Sequence, residues 1–286
     1  MAQRSADVQI APAERTQSLQ SLERGIAVLQ VFSRERPALS LSEVARLTGI
    51  TRATARRILL TLEKLGHVRS DGRLFSLTPR VLSLGWAYLS SLNLWEVAQP
   101  LMEELVEQTK ESCSAATLDL PDIVYVARVP TQRIMTIALG VGTRLPAHAT
   151  SMGRVLLSDL PEDELDRYLA DFPLERFTDD TITDPDVLRA AVAGTRAQGW
   201  ALVDQELEVG LRSIAAPIKR ADGRTIAALN VSAAAARVSV SQLQRRFLPK
   251  LLHTAEQISV SLGRRPPTTP ARGLGGPAGR TAPARR

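Results

Sequence analysis

Two groups of side chains in this 286-residue sequence have types and spacings suited to chemistry. The first is Ala149-Thr-Ser-Met-Gly153, one substitution away from the Gly-x-Ser-x-Gly turn that lifts a nucleophilic serine at a strand-to-helix junction. A serine hydrolase would also need an acid and a histidine further along. The only later histidine is His253, in a helical stretch near the end, with Asp204 or Asp222 as acids. Pro146 and the irregular run before it offer no strand to feed the turn, so the chain is not expected to be an enzyme. No Walker-type phosphate loop or zinc-protease helix is present. One cysteine, Cys113, and three scattered histidines, His67, His148 and His253, argue against a Cys/His zinc site, and no cofactor is expected. The same segment has another use. A helix starting at Thr150-Ser-Met-Gly153 would present free N–H groups and a positive dipole end to an anion, with a plain N-cap as the alternative.

The second group is cationic. Arg52, Arg56, Arg57 and Lys64 alternate with Thr54 and Thr61 along a stretch whose apolar stripe is Ala55, Ile58, Leu59 and Leu62. Glu63 is the only acid among them. Arginine pairs bidentately with guanine edges or holds phosphates, and threonine donates to phosphate or meets a thymine methyl. The bland alternative is a solvated basic face.

The elements around this stretch decide between the two. Ser40-Leu-Ser-Glu43 matches the capping box, in which hydroxyl and carboxylate satisfy each other's free N–H groups, and starts a helix running to Leu47. Thr48-Gly49-Ile50-Thr51 is a turn, with Thr51 capping the cationic helix to about Leu65. An earlier helix, Ser21 to Ser33, should bury Leu22, Ile26 and Leu29, and Pro37 breaks the chain after it. Downstream, His67–Ser70 and Arg73–Leu77 flank Asp71-Gly72 as a β-hairpin. A helix pair with a Gly-containing turn followed by a hairpin is a winged helix-turn-helix. Arg69 and Arg73, near the wing tip, are further phosphate or minor-groove candidates.

Charge distribution agrees with a polyanion met by the front end alone. Residues 1–80 carry thirteen Lys/Arg against seven Asp/Glu, residues 81–263 seventeen against twenty-three, and residues 264–286 six Arg and no acid, formal charges of +6, −6 and +6. The Pro/Gly/Arg-rich end, 264–286, and the front arm, 1–18, are expected to be disordered, the basic tail being either a solvated extension or a nonspecific DNA contact. With 44% hydrophobic and 23% charged residues, no secretory h-region and no long apolar span, a cytoplasmic protein with no membrane association is expected.

Pro79 to Leu92 reads as an apolar linker helix. Beyond it, a helix over Trp95–Lys110 precedes strands at Ser114–Leu120, Asp122–Val129 and Arg133–Ala138. Helices then follow from near Ala149, over Glu162–Ala170 and over Asp184–Gln198, the last with Asp184 as N-cap and Pro185 at the first helical position. Strands at Ala201–Gln205, Arg212–Lys219 and Thr225–Ser232, and a closing helix from Val240 to Leu262, complete an α+β domain. Asn230 and Ser232, two apart on a strand, face one side, where a ligand or an ordinary core hydrogen bond would satisfy them. Arg212 should point away from Ser213 and pair with Glu206 or Glu208, unless the strand start bends it toward a ligand.

Ser21-Leu-Glu-Arg-Gly-Ile-Ala-Val-Leu29 opening the winged helix, together with Leu77-Thr-Pro-Arg-Val-Leu-Ser-Leu-Gly85, resembles the IclR family of bacterial regulators. Asp122-Ile-Val-Tyr-Val-Ala-Arg-Val-Pro130, Leu145–Arg154, Gly199–Glu206 and Gly210–Pro217 resemble its regulators of protocatechuate, 4-hydroxybenzoate and β-ketoadipate metabolism. The resemblance covers about residues 19 to 263. It implies a winged helix-turn-helix over 19–80, a linker helix over 81–93, and a GAF-like effector-binding and oligomerisation domain over 94–263. It also implies a dimer or tetramer placing Thr51 to Lys64 in successive major grooves of double-stranded operator DNA. The implied effector is a small organic acid of the protocatechuate, 4-hydroxybenzoate or β-ketoadipate type, with the acid of another pathway as the alternative. Ser151, Met152, Ser213, Asn230 and Ser232 match family effector positions, and Arg133, Met135 and His148 are weaker nominations. Two positions depart from the family pattern: Val203 stands where Asp or Ser is usual, and Ser213 where Cys is frequent.

Overall fold

The computed structural model describes residues 18–33, 35–86, 94–131 and 139–263, apart from the side chains of residues 94 and 95. Two compact units divide the chain, Met1–Leu92 and Asn93–Arg286.

In the first unit, α1 (Gln20–Gln30), β1 (Ala38–Ser40), α2 (Leu41–Thr48) and α3 (Arg52–Lys64) precede the hairpin of β2 (Val68–Ser70) and β3 (Leu74–Leu77). The capping box forms: the Ser40 N–H donates to the Glu43 carboxylate at 2.8 Å, and the Glu43 N–H donates to Ser40 Oγ. Gly49 ends α2 at φ +66°, in the left-handed region where a side chain is strained. Thr51 Oγ1 accepts from the Thr54 N–H and caps α3. Asp71 Oδ1 accepts from the N–H groups of Arg73 and Leu74 and so closes the wing turn.

The sequence reading missed β1. Three residues after Pro37 are too short to show a period, yet Leu39 is buried and pairs with Phe75, giving the sheet order β1-β3-β2. The expected inward face of α1 is also corrected. Ala27 and Val28 are buried, whereas Leu22 and Ile26 are 60% and 48% exposed. Val28 joins the core of Val44, Ala55 and Leu59, with Leu29 of the expected face partly buried against it, which leaves Leu19, Leu22 and Ile26 uncovered. After β3, one 3-10 turn (Pro79–Val81) leads into helical residues 82–86, and the rest of the expected linker helix lies outside the described residues.

Among the described residues, the second unit holds a six-stranded antiparallel sheet in the order β6-β5-β4-β9-β8-β7. Its elements are α4 (Leu94–Thr109), β4 (Ser112–Asp119), β5 (Asp122–Val129), β6 (Arg144–Pro146), α5 (Ser151–Leu157), α6 (Glu162–Asp171), α7 (Pro185–Gln198), β7 (Ala201–Asp204), β8 (Leu211–Lys219), β9 (Thr225–Ala234) and α8 (Leu248–Ser261). The α+β class is as expected. The expected strand at 133–138 lies outside the described residues. The closing helix is not continuous: one turn at Val240–Gln242 passes into a π-helical turn, Leu243–Phe247, before α8.

Central strands are buried on both faces, with Ile214, Ala215 and Ala216 all inaccessible. Helices α4 and α8 pack on each other and on the sheet, and α5 packs on β8 and β9. The α5 side holds the core of Tyr125, Met152, Leu156, Leu165, Tyr168 and Leu188. Gly153 lets the turn before α5 fold closely against the helix, because a Cβ there would fall 2.0 Å from the Ala147 carbonyl oxygen.

Candidate functional site

On α3, Arg52, Arg56, Arg57, Thr61 and Lys64 are exposed, while Ala55, Leu59 and Leu62 face the core. None of these four cations meets a carboxylate among the described residues. The threonines are less free than the sequence suggested. Thr61 Oγ1 donates to its own helix at the Arg57 carbonyl, and Thr51 and Thr54 share a hydroxyl contact of 2.9 Å at the cap, which uses the hydrogen of one of that pair and leaves the other hydroxyl able to donate. Arg69 is exposed on β2 with Nε donating to Ser76 Oγ, and Arg73 is exposed at the wing turn. A cationic helix face followed by a cationic wing offers donors of the kind that meet phosphates and base edges.

The second site is a cavity on the α5 side of the sheet, and strand register builds it. Arg128 pairs across β4 with Ser114, and Ser114 with Asn230. Ser232 pairs with Ser213, and Ser213 with Val203. Side chains in one register row share a face. Hydrogen bonds tie the rows together. Arg128 Nη1 donates to Ser114 Oγ at 3.1 Å, the Ser114 N–H to Asn230 Oδ1 at 3.1 Å, and Asn230 Nδ2 to Ser232 Oγ at 3.0 Å. Arg128, Asn230 and Ser232 join Tyr125, Val203 and Ser213 around a cavity of about 30 Å³, room for about one water. Leu139, Leu145, Leu207 and Leu211 supply its apolar part. Burial disfavours charge on both ionisable groups, lowering the Arg128 guanidinium from its ordinary value and pushing the Tyr125 hydroxyl up to about 12.

Arg128 and Tyr125 were missed from the sequence. Simple alternation puts residues three apart on opposite faces, but β5 carries a bulge. Ala115 pairs with Ala127 and Ala116 with Tyr125, so Val126 is an extra residue and re-aims everything after it.

Of the nominated effector residues, Ser213, Asn230 and Ser232 line the cavity. Ser151 Oγ lies 2.8 Å from Ser213 Oγ, one step behind the wall. Met152 is buried in the apolar core beside it. His148 is elsewhere: its Nε2 lies 3.0 Å from the Glu175 carbonyl and its ring packs near Phe177, with burial lowering its pKa. Arg133 and Met135 lie outside the described residues. Arg212 reaches neither Glu206 nor Glu208. Register sets Asp204 opposite it, Nε donates to Asp204 Oδ1 at 2.9 Å, and Nη1 donates to the Val238 carbonyl. Glu206 instead forms a buried pair with Arg154 of α5, another residue the sequence reading did not single out.

A hydrolase arrangement is not assembled. Ser151 faces Ser213 rather than a histidine, and a three-residue strand, β6, does precede the turn, contrary to expectation. No helix among the described residues is long and apolar enough to cross a membrane.

A helix-turn-helix with a basic reading face, followed by a separate unit with a small enclosed cavity, defines a DNA-binding regulator with a ligand-sensing domain. The chain belongs to the IclR family: residues 21–72 match the IclR helix-turn-helix domain and residues 86–260 the bacterial transcriptional regulator IclR C-terminal domain. The Pca regulon regulatory protein of Pseudomonas putida is 46% identical over 255 residues, covering 86% of this chain and 88% of its own. A solved transcriptional regulator from Rhodococcus sp. RHA1 has 55% identity and a TM-score of 0.77, with 86% of this chain and 98% of that chain covered. An IclR homologue from Microbacterium hydrocarbonoxydans, solved with 4-hydroxybenzoate, has 27% identity and a TM-score of 0.76, with coverage of 85% and 98%. These relatives are transcriptional regulators, not enzymes, and this chain is a DNA-binding transcriptional regulator of the same family.

Proposed function

We propose that the protein regulates genes of aromatic-acid catabolism, in the cytoplasm and as a dimer or tetramer, by coupling operator binding to occupation of the cavity by a 4-hydroxybenzoate-, protocatechuate- or β-ketoadipate-type acid. Residues 19–80 are the DNA-binding domain, 81–93 the linker and 94–263 the effector and oligomerisation domain. Arg52, Arg56, Arg57 and Lys64 hold phosphates and base edges, with Arg69 and Arg73 on the wing. The uncovered Leu19, Leu22 and Ile26 favour self-association.

One observation carries the effector reading: a half-buried guanidinium, Arg128, borders a cavity otherwise lined by hydroxyls, an amide and leucines. A carboxylate there gains a charge-assisted hydrogen bond, a ring fits among the leucines, and Ser213, Asn230 and Ser232 sort its hydroxyls. As packed, the cavity is far below the roughly 300 Å³ of a pocket already shaped for its ligand, so binding requires its side chains to part. Ligand response requires that the acid bind one arrangement of the assembly more tightly than another.

The test is calorimetric titration with the three acids, alongside a gel shift on the gene's upstream region. Arg128→Gln should cost about 1.5–3 kcal/mol of effector affinity, the worth of a charged hydrogen bond, and leave operator binding intact. Arg56→Gln should do the reverse, with the salt dependence of operator binding shallower by about one. An acid that binds Arg128→Gln as well as the native chain refutes this placement of the effector.

A further inference from the structure

A second concavity in the Asn93–Arg286 unit shares no residue with the cavity above. It measures about 440 Å³, and its walls carry Lys110, Arg237, Arg246 and Lys250 against one carboxylate, Glu111. Glu111 is buried and already receives Arg237 Nη2 at 3.0 Å. Lys250 Nζ donates to the Gln108 carbonyl at 3.1 Å, at the C-terminal end of α4. Lys110 and Arg246 meet no carboxylate among the described residues. The walls thus hold a surplus of three positive charges, in a stretch of sequence that is acidic overall.

Two departures from regular backbone fall on the same cleft. Lys110 sits at φ +58°, a conformation that favours glycine or asparagine. Arg246 belongs to the π-helical turn Leu243–Phe247. Strained residues and π-turns concentrate where a ligand is held. Like charges gathered in a concavity repel one another and raise the local concentration of anions.

We propose that this cleft binds a small anion carrying two or more negative charges, either a di- or tricarboxylate or a phosphorylated metabolite. Its volume lies in the roughly 300–1,000 Å³ range of small-molecule sites. Three uncompensated cations match a polyvalent anion better than a monocarboxylate, which separates this cleft from the Arg128 cavity with its single guanidinium. An anion here bridges the end of α4, the residues after β9 and the π-turn, and so ties the two packed helices α4 and α8 together.

The experiment is calorimetric titration of the full chain with citrate and, separately, with inorganic pyrophosphate, at low and moderate salt. It is run on the native chain, on Lys110→Gln/Arg246→Gln, and on Arg56→Gln/Arg57→Gln as a control for the cations of α3. Expected is one saturable site per chain, weakened by salt, unchanged in the α3 variant and weaker by about an order of magnitude or more in the cleft variant. The better of the two probes tells carboxylate from phosphate. The cleft variant should melt normally without anion and bind 4-hydroxybenzoate as the native chain does, so the outcome stands apart from the effector proposal. Absence of saturable binding, equal affinity in the cleft variant, or loss only in the α3 variant overturns the proposal. So does a native chain that takes no anion while the cleft variant changes oligomeric mass, since another copy then covers the cleft.

Discussion

Replacing Glu206 by glutamine removes a negative charge from a place that water barely reaches. The Arg154 and Glu206 side chains are 6% and 10% exposed, and the bond between Arg154 Nη2 and Glu206 Oε2 joins α5 to the segment after β7. Burial pushes the Glu206 carboxyl above its ordinary range, and Arg154 pulls it back. Arg154 Nε is buried without a partner among the described residues, so once Glu206 is neutral the guanidinium loses its direct carboxylate partner and keeps only the weaker influence of Asp180, which also acts on Glu206. Breaking a buried pair from one side costs about 3–5 kcal/mol. At about 2–4 °C per kcal/mol for a unit of this size, Glu206→Gln should lower the melting temperature by about 6–20 °C. Arg154→Met/Glu206→Leu removes both charges at similar volume and should recover most of that loss. Neighbouring Leu207 lines the cavity, as does Thr150 at the N-cap of α5, so the single variant should also bind effector more weakly. Scanning calorimetry with and without effector measures both. A Glu206→Gln melt within about 2 °C of native, or a double variant melting as low as the single, would refute the reasoning, because the cost would then not be that of an orphaned charge.

Three further outcomes follow from local geometry. Gly153→Ala sets a Cβ 2.0 Å from the Ala147 oxygen and 2.5 Å from its Cα, so the backbone must shift; a loss of about 1–3 kcal/mol or more is expected in denaturant titration. Ser40→Ala removes half of the α2 capping box and should destabilise the first unit by about 1 kcal/mol. Ser40 holds the Glu43 carboxyl below its ordinary value, so that pKa should rise in the variant when followed by NMR. Burial pushes the Cys113 thiol up, and its side chain is inaccessible, so a disulfide reagent at mild alkaline pH should label it only as fast as the domain opens. Rapid labelling of the folded chain would contradict the packing of β4.

Elements that announce themselves through local chemistry were legible in the sequence. Ser40 with Glu43, Thr51, Asp71-Gly72 and Asp184-Pro185 each satisfy backbone groups within four residues, and each starts or turns an element where expected. Features set by long-range packing were not. The apolar residues of α1 offer two adjacent stripes, and the packing of Val28 on Val44, Ala55 and Leu59 decides between them. Arg212 finds Asp204 because register, not sequence distance, brings them together. In the cavity, the two-residue spacing of Asn230 and Ser232 gave their common face, while Tyr125 and Arg128, three residues apart, share that face only through a bulge that no period reveals. Arg154 sits in a seven-residue helix buried on every side, and its place between Met152-Gly153 and Val155-Leu156-Leu157 was the available hint that its charge has a hidden partner.

The extra residue at Val126 leaves slack in the strand. Deleting it would restore a plain ladder in which Arg128 still stands opposite Ser114 and keeps its inward direction. Adding a residue between Tyr125 and Arg128 has no such outlet and would turn the guanidinium to the other side of the sheet. Length changes at this point are therefore one-directional, with shortening tolerated and lengthening exchanging the charged floor of the chamber for an alanine or a valine.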